Sequence, residues 1–361
     1  MEIRDLSYQN EAVTDIIGHY TKNPLSRVLL VAPTGSGKTV MAVKLVIDPR
    51  LKEILLKDKS RDYLRIVYKC HMSRLLTQAK RRFPEMICCE ATLEEWRDPE
   101  YKNKKDIEIC YQMYSEKLEE DDNIDLIIYD ECQHEACLTI QEFLGHAGKF
   151  PSLGMTATPD RPDNCLIKFD DIVEPLTREE AVMNGFICET DINTIVDTSS
   201  KDKTKLLKEI VLNFHHEMKQ TMIFVRTKKE INIMVDYINE YIGEGLARGC
   251  GIGEEEDVDD LLDSFACGEF KFLISCMKLS EGIDVSGVTD VIIARNVGSN
   301  IVLNQIIGRA ARIDVMECRC WEFVNALSGS NLDSTEIVGT PRSHRIINKV
   351  NGEFLVRDFN Y

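Results

Sequence analysis

A short apolar run, Arg27-Val28-Leu29-Leu30-Val31, passes directly into Ala32-Pro33-Thr34-Gly35-Ser36-Gly37-Lys38-Thr39, and the residues from Lys38 onward read as a helix. A strand, a Gly-rich turn and a helix in that order constrain the fold more than any other feature of this chain. The glycines let backbone N–H groups turn inward around phosphate oxygens, and the helix N-terminus adds its partial positive charge. Lys38 is spaced to reach the β- and γ-phosphates of a nucleotide, and Thr39 to place its hydroxyl on magnesium. The first glycine of the general pattern is Ala32 here. ATP and Mg2+ are the expected ligands, with Pro33, Thr34, Gly35, Ser36, Gly37, Lys38 and Thr39 as the nucleotide-binding loop.

The rest of the first half alternates apolar strands with helical stretches. Strands are predicted at 27–31, 64–68, 106–110, 124–129 and 152–156, and buried strands separated by helices imply a parallel sheet covered on both faces. The second half repeats the pattern, with strands at 220–225, 271–275 and 290–294 and a helix at 229–241, but has no second Gly-Lys-Thr loop. The expected fold is α/β: two tandem RecA-like domains, each a parallel sheet flanked by helices. The divisions read as 1–187 for the ATP-binding domain, 188–204 for a linker, 205–327 for the second domain and 328–361 for a tail. That tail is expected to be a loop with one short strand near Gly352–Val356. The acidic run 254–260 reads as a solvated helix start, where carboxylates suit the helix dipole.

Two further groups complete a hydrolytic site. Asp130-Glu131 follow a hydrophobic strand, so Asp130 can hold magnesium through water while Glu131 orients and deprotonates an attacking water. In Gln305-Ile306-Ile307-Gly308-Arg309-Ala310-Ala311-Arg312, two arginines stand one helical turn apart and share a face. Arg309 and Arg312 can therefore neutralise charge on a transferred phosphoryl group. Because they come from the second half, hydrolysis is expected to need both lobes, with one ATP site in the cleft between them. The catalytic set is Lys38, Glu131, Arg309 and Arg312, with Thr39 and Asp130 at the metal.

Composition limits the partners. The 44 basic and 61 acidic residues give a net charge of −17, which opposes indiscriminate binding to phosphates and leaves room only for a local basic track. The 13 cysteines include no Cys-x-x-Cys knuckles, and they read as reduced, mostly buried thiols. His215-His216 and Cys318-Arg319-Cys320 lack a full metal-ligand set. No apolar run reaches a membrane-spanning length, and the polar start of the chain is not that of a signal peptide, so a cytoplasmic location is expected.

Taken together, these residues resemble superfamily-two helicases of the D-E-x-H type, over about Leu6 to Arg312. Leu6-Ser7-Tyr8-Gln9 looks like the adenine-recognition segment, which implies Gln9 as the adenine reader; the usual preceding arginine is absent, and Arg4 stands nearby. Ala32–Thr39 is similar to motif I, and Ser73-Arg74-Leu75-Leu76-Thr77-Gln78 to motif Ia. Asp130-Glu131-Cys132-Gln133-His134 resembles motif II, with Gln133 in the fourth position and His134 next, so either is a coupling residue. Leu153-Gly154-Met155-Thr156-Ala157-Thr158-Pro159 looks like motif III, implying coupling roles for Thr156 and Thr158. Ile223–Thr227 resembles motif IV, Leu279–Val285 motif V and Gln305–Arg312 motif VI. The last two imply an ATP contact for Asp284 and coupling roles for Gly282 and Gln305. The T-A-T-P form and Leu176–Phe186 are similar to the RecG-, XPB- and UvsW-like branch. The chain is close to a bare two-lobe core, as in compact phage or viral helicases, for which the location would be the host cytoplasm.

The resemblance implies a nucleic-acid strand held mainly through phosphates. The candidate contacts are Ser73, Arg74, Arg226, Thr227 and Lys278, while Lys80-Arg81-Arg82 reads as a solvated face. The expectation is a DNA helicase or branch-migrating translocase in replication, recombination or repair. The alternatives are an RNA helicase, an ATP-gated clamping or annealing module, and the motor subunit of a larger restriction complex whose partner supplies specificity.

Overall fold

The computed structural model describes residues 6–57, 59–119, 122–133, 149–159, 169–197, 202–251, 258–276, 285, 287–295, 297, 300–308, 310–311, 317–324, 338, 341 and 343–360. The chain divides into two compact units, Met1–Thr177 and Arg178–Tyr361. Among the described residues, no helix is long and apolar enough to cross a membrane.

In the first unit, α1 (Ser7–Lys22) buries Tyr8, Gln9, Ala12, Val13, Ile16, Ile17 and Tyr20, the three-and-four spacing of one helix face. β1 (Arg27–Val31) leads into α2 (Lys38–Ile47) and α3 (Pro49–Leu55). β2 (Leu64–Cys70), α4 (Ser73–Lys80), β3 (Cys88–Glu90), α5 (Leu93–Arg97), β4 (Ile107–Met113), β5 (Leu126–Asp130), β6 (Ser152–Thr156) and β7 (Asp171–Val173) follow. The seven strands are ordered β3-β4-β2-β5-β6-β1-β7, and every pairing is parallel. One face packs Leu29, Val31, Val67, Cys110, Ile127 and Tyr129 against Leu93 and Trp96.

A parallel sheet brings all strand C-termini to one edge, and ligands of such sheets bind there. Arg27 pairs with Ser152 and Val31 with Thr156, while Asp130 pairs with Met155. The ends of β1, β6 and β5 therefore stand side by side. β5 is anchored at its other end by Asp125, a fully buried carboxylate. It accepts from Arg61 Nη1 at 2.6 Å, Arg61 Nη2 at 2.8 Å and the Arg65 backbone N–H at 2.7 Å, and pairs with Lys59. A buried charge this fully partnered fixes strand position, because removing any partner exposes its desolvation cost.

The second unit contains α6 (Arg178–Met183), β8 (Thr190–Val196), α7 (Lys203–Phe214), β9 (Thr221–Phe224) and α8 (Lys228–Tyr241). It continues with β10 (Ala247–Cys250), α9 (Val258–Ala266), β11 (Phe272–Ser275), β12 (Asp290–Ile293), α10 (Asn300–Ile307), β13 (Cys318–Val324), β14 (Ser343–Val350) and β15 (Glu353–Asn360). Its eight strands run β10-β11-β9-β12-β13-β8-β14-β15, parallel except for the β14–β15 hairpin. Both faces are buried: Ile223, Ile292, Trp321 and Phe323 lie under α7 and α8, while Met222, Phe224, Val291 and Ile293 lie under α9 and α10. Asp290 repeats the Asp125 device at the start of β12, accepting from Arg319 Nε at 2.8 Å, Arg319 Nη2 at 3.0 Å and Trp321 Nε1 at 3.0 Å.

Two stretches differ from the sequence reading. The segment expected as a linker, 188–204, holds β8, an interior strand between β13 and β14. Its Thr-Asp-Ile-Asn-Thr-Ile-Val run is polar in composition but β-branched, and β-branched side chains suit a pleated surface. The tail holds a hairpin of two eight-residue strands rather than one short strand. Asn351 and Gly352 form its two-residue turn with φ of 52° and 89°, the left-handed pair that a type I′ turn demands.

Candidate active site

The phosphate loop is a cradle of backbone. Gly35 and Gly37 have φ of 89° and 85°, a conformation that L side chains avoid. A side chain at Gly37 would also collide, since its Cβ would stand 2.8 Å from Gln9 Nε2. The loop is tied to the sheet by the Ala32 N–H donating to Thr156 O at 3.0 Å, and closed on itself by Ser36 Oγ donating to Pro33 O at 2.7 Å. Lys38 Nζ donates to Ala32 O at 3.2 Å and so lies along the cradle. Thr39 is half-buried one residue further into α2.

The start of α1 grips the same loop. Tyr8 Oη donates to Ser36 O at 2.5 Å and Gln9 Nε2 donates to it at 3.2 Å. Gln9 is buried, and its Oε1 has no hydrogen-bond partner among the described residues. An unpaired buried acceptor costs about 1–3 kcal/mol, so it marks a place where a donor belongs. The exocyclic amine of adenine is such a donor.

Asp130 stands buried at the end of β5. Tyr68 Oη donates to its Oδ2 at 2.8 Å, and Tyr114 Oη donates to its backbone oxygen. Burial, and then the Glu131 carboxylate, push the Asp130 carboxyl above the usual carboxylate range, while the Tyr68 hydrogen bond and the Lys38 charge pull it back. A divalent cation offsets both raising causes, so the donor set of Thr39 hydroxyl and Asp130 carboxylate fits magnesium. Burial lifts the Tyr68 and Tyr114 phenols well above their ordinary value, so each stays a donor.

Glu131 has a φ of 53°, left-handed for a residue with a side chain. Such a conformation costs about 1–3 kcal/mol and persists only where the surroundings impose it. Gln133 Nε2 donates to Glu131 Oε2 at 2.7 Å, and Thr156 Oγ1 donates to Gln133 Oε1 at 2.8 Å. The Thr158 N–H in turn donates to Thr156 Oγ1 at 3.0 Å. Glu131, Gln133, Thr156 and Thr158 thus form one polar chain between the ends of β5 and β6. Gly154 lets β6 pass close to Phe169, whose ring would lie 2.3 Å from an added Cβ.

The nucleic-acid candidates have separate surroundings. Ser73 is exposed in the first turn of α4, at the same sheet edge as the phosphate loop, with Arg74 half-buried beside it. In the second unit, the Arg226 side chain is 77% exposed and meets Glu230 at 3.1 Å. A surface pair of that kind contributes about 0.3–0.5 kcal/mol and yields easily to a phosphate. Thr227 is committed to a capping box, its hydroxyl accepting from the Glu230 N–H at 3.3 Å. Lys80 pairs with Glu90 at 2.6 Å. Gln305 is buried in α10, its Oε1 without a hydrogen-bond partner among the described residues. His134, Lys278, Gly282, Asp284, Arg309 and Arg312, together with Arg4, lie outside the described residues.

The eleven described cysteines are all free thiols. Burial pushes Cys70 and Cys318 up to about 12 and Cys88 and Cys110 up to about 11, which keeps them protonated and unreactive. Sequence reasoning missed Tyr68 and Tyr114 as partners of Asp130, and no local signal in the sequence marks either of them.

Residues 2–161 match the family described as "Type III restriction enzyme, res subunit", and residues 202–314 match "Helicase conserved C-terminal domain". The chain belongs to the superfamily-two helicases. It is similar to the Saccharomyces cerevisiae protein IRC3, provisionally described as an ATP-dependent helicase, at 22% identity over 92% of this chain and 53% of that one. The chain spans about half the length of the curated relatives it matches. Among solved structures it resembles an HsdR subunit fragment of a type I restriction enzyme from Vibrio vulnificus, at TM-score 0.72 and 19% identity, covering 96% of this chain and 69% of that one. It also resembles the Type ISP restriction-modification enzyme LlaBIII bound to DNA, at TM-score 0.68 and 18% identity, covering 94% and 29%. These likenesses bear on the fold: two tandem RecA-like helicase domains.

Proposed function

We propose that this superfamily-two helicase is an ATP-dependent DNA motor that unwinds or migrates branched DNA. The observation that carries the reading is the phosphate cradle at the end of β1 beside the Asp130-Glu131 pair at the end of β5, two strands along one parallel edge. In this reading Lys38 leaves the Ala32 carbonyl for the β- and γ-phosphates of ATP. Thr39 and Asp130 would hold the magnesium, which would shield phosphate charge. Glu131 takes the proton of the attacking water, and Gln9 reads the adenine amine. Arg309 and Arg312 keep the phosphoryl-stabilising role that the family resemblance implies, with Asp284, Gly282 and Gln305 in support. Ser73, Arg74, Arg226, Thr227 and Lys278 are the proposed phosphate contacts of the strand. The free thiols suit a reducing compartment.

Steady-state ATP hydrolysis with single-stranded DNA, forked DNA, four-way junction DNA and single-stranded RNA as separate additives tests the substrate. Stimulation by DNA, strongest on the branched forms, is expected. Stimulation chiefly by RNA would overturn the DNA reading and leave the ATP site standing.

Coupling falls to Gln133, because its amide bridges the catalytic carboxylate and the Thr156 hydroxyl. Gln133→Ala is expected to lower the ratio of nucleic-acid-stimulated to basal turnover by about tenfold, the scale of one buried charged hydrogen bond. An unchanged ratio in a folded variant returns the role to His134. The description of the first family favours a second reading, the motor subunit of a larger assembly. Strand separation by the chain alone weighs against it; activity only with a co-purifying subunit supports it.

A further inference from the structure

The catalytic carboxylates sit next to a residue that no motif accounts for. Tyr68 lies in β2, paired with Ile128 of β5, so Asp130 is two residues further along the neighbouring strand on the same sheet face. Its hydroxyl takes Asp130 Oδ2 at 2.8 Å. The Tyr68 ring is fully buried and held edge-on by Phe83, with centroids 5.9 Å apart, and tilted against Tyr111 at the same separation. A ring packed on two sides has one place for its hydroxyl, so the hydrogen bond fixes the rotation of the carboxylate. That fixed rotation sets which way the carboxylate can face a cation. The outer partner that orients a metal-binding carboxylate commonly matters about as much as a tenfold to hundredfold change in metal affinity.

We propose that Tyr68 is a positioning residue for magnesium: its hydroxyl fixes the Asp130 carboxylate in the orientation that would hold the cation bound with ATP. The proposal rests on the assignment of Asp130 to magnesium in the functional reading above. Tyr114 supplies the structural comparison, because its hydroxyl is also buried and also bonds residue 130, but at the backbone oxygen. Losing either hydroxyl removes one buried hydrogen bond; only Tyr68 touches the carboxylate.

The test titrates MgCl2 at fixed ATP and follows two readouts, thermal stabilisation of the protein by Mg-ATP and steady-state hydrolysis. Tyr68→Phe keeps the ring between Phe83 and Tyr111, and is expected to raise the half-saturating Mg2+ concentration about tenfold in both readouts. At saturating Mg2+ its turnover should recover most of the native value. Tyr114→Phe is expected to lower the melting temperature of the nucleotide-free protein without moving the Mg2+ midpoint. Asp130→Asn should abolish the Mg2+ dependence of the stabilisation, and Tyr68→Phe added to it should change nothing further. A native Mg2+ midpoint in Tyr68→Phe, with Asp130→Asn defective, overturns the positioning role alone. A native midpoint in Asp130→Asn itself overturns the underlying metal assignment.

Discussion

Lys38→Ala is expected to lower ATP turnover by on the order of 10³-fold, the effect of removing a charge-stabilising donor from a phosphoryl-transfer site. The lysine is held inside the phosphate loop, its amine 3.2 Å from the Ala32 carbonyl. Rotation about its side chain would release it from that carbonyl for a phosphate oxygen. No other loop residue carries a positive charge: the remaining donors are backbone N–H groups and the hydroxyls of Thr34, Ser36 and Thr39. The fold should hardly notice, since Lys38 is half-buried and makes one hydrogen bond to a carbonyl that water can replace. Turnover measured at saturating ATP, with the melting temperature as a control for folding, decides the matter. A folded Lys38→Ala protein that retains turnover within tenfold of the native value would remove the loop from the catalytic site.

Glu131→Gln is expected to slow hydrolysis by roughly 10²- to 10⁴-fold while leaving ATP affinity within about threefold, the separation that marks a general base. The substitution is close to isosteric. The hydrogen bond from Gln133 Nε2 can still be accepted, now by an amide oxygen, so the polar chain to Thr156 survives. What disappears is the capacity to take a proton. The left-handed backbone at Glu131 aims this side chain independently of its neighbours on β5, and a glutamine inherits the same aim. Equal losses in affinity and turnover would instead make Glu131 a structural acid. Single-turnover hydrolysis beside nucleotide-binding measurements separates the two outcomes.

Local sequence carried the phosphate loop and the acid pair, because both are written in consecutive residues: a strand, a turn needing positive φ at Gly37, and carboxylates at a strand end. The placement of Asp130 beside the loop was less visible. It depends on β6 lying between β1 and β5, a register set by parallel pairing that no short window of sequence contains. For the same reason Tyr68 and Tyr114 were unreadable: their bonds to residue 130 cross between strands. Glu230, three residues after Thr227, signalled a capping box that went unread, and the structure forms one. β8 was hidden by its polar composition, although its alternating threonines and isoleucines carry strand propensity. The Asn351-Gly352 turn was a legible hairpin signal between two β-rich runs, passed over in favour of a single terminal strand.

The all-parallel first sheet also dictates an order of assembly. β1 carries the phosphate loop, but its partners are β6 and β7, so it has no ladder until Ser152 and Asp171 have been made. Every strand pair in this sheet joins segments separated by a crossover, and such non-local pairing is slow to form. The loop that follows β1 therefore waits on strands synthesised later before its own strand can pair. During that interval Val28–Val31 is an unpaired apolar strand in a nascent chain, the kind of segment that binds chaperones or aggregates. Yield of active protein should therefore respond to expression temperature and chaperone supply more sharply than the stability of the finished fold suggests.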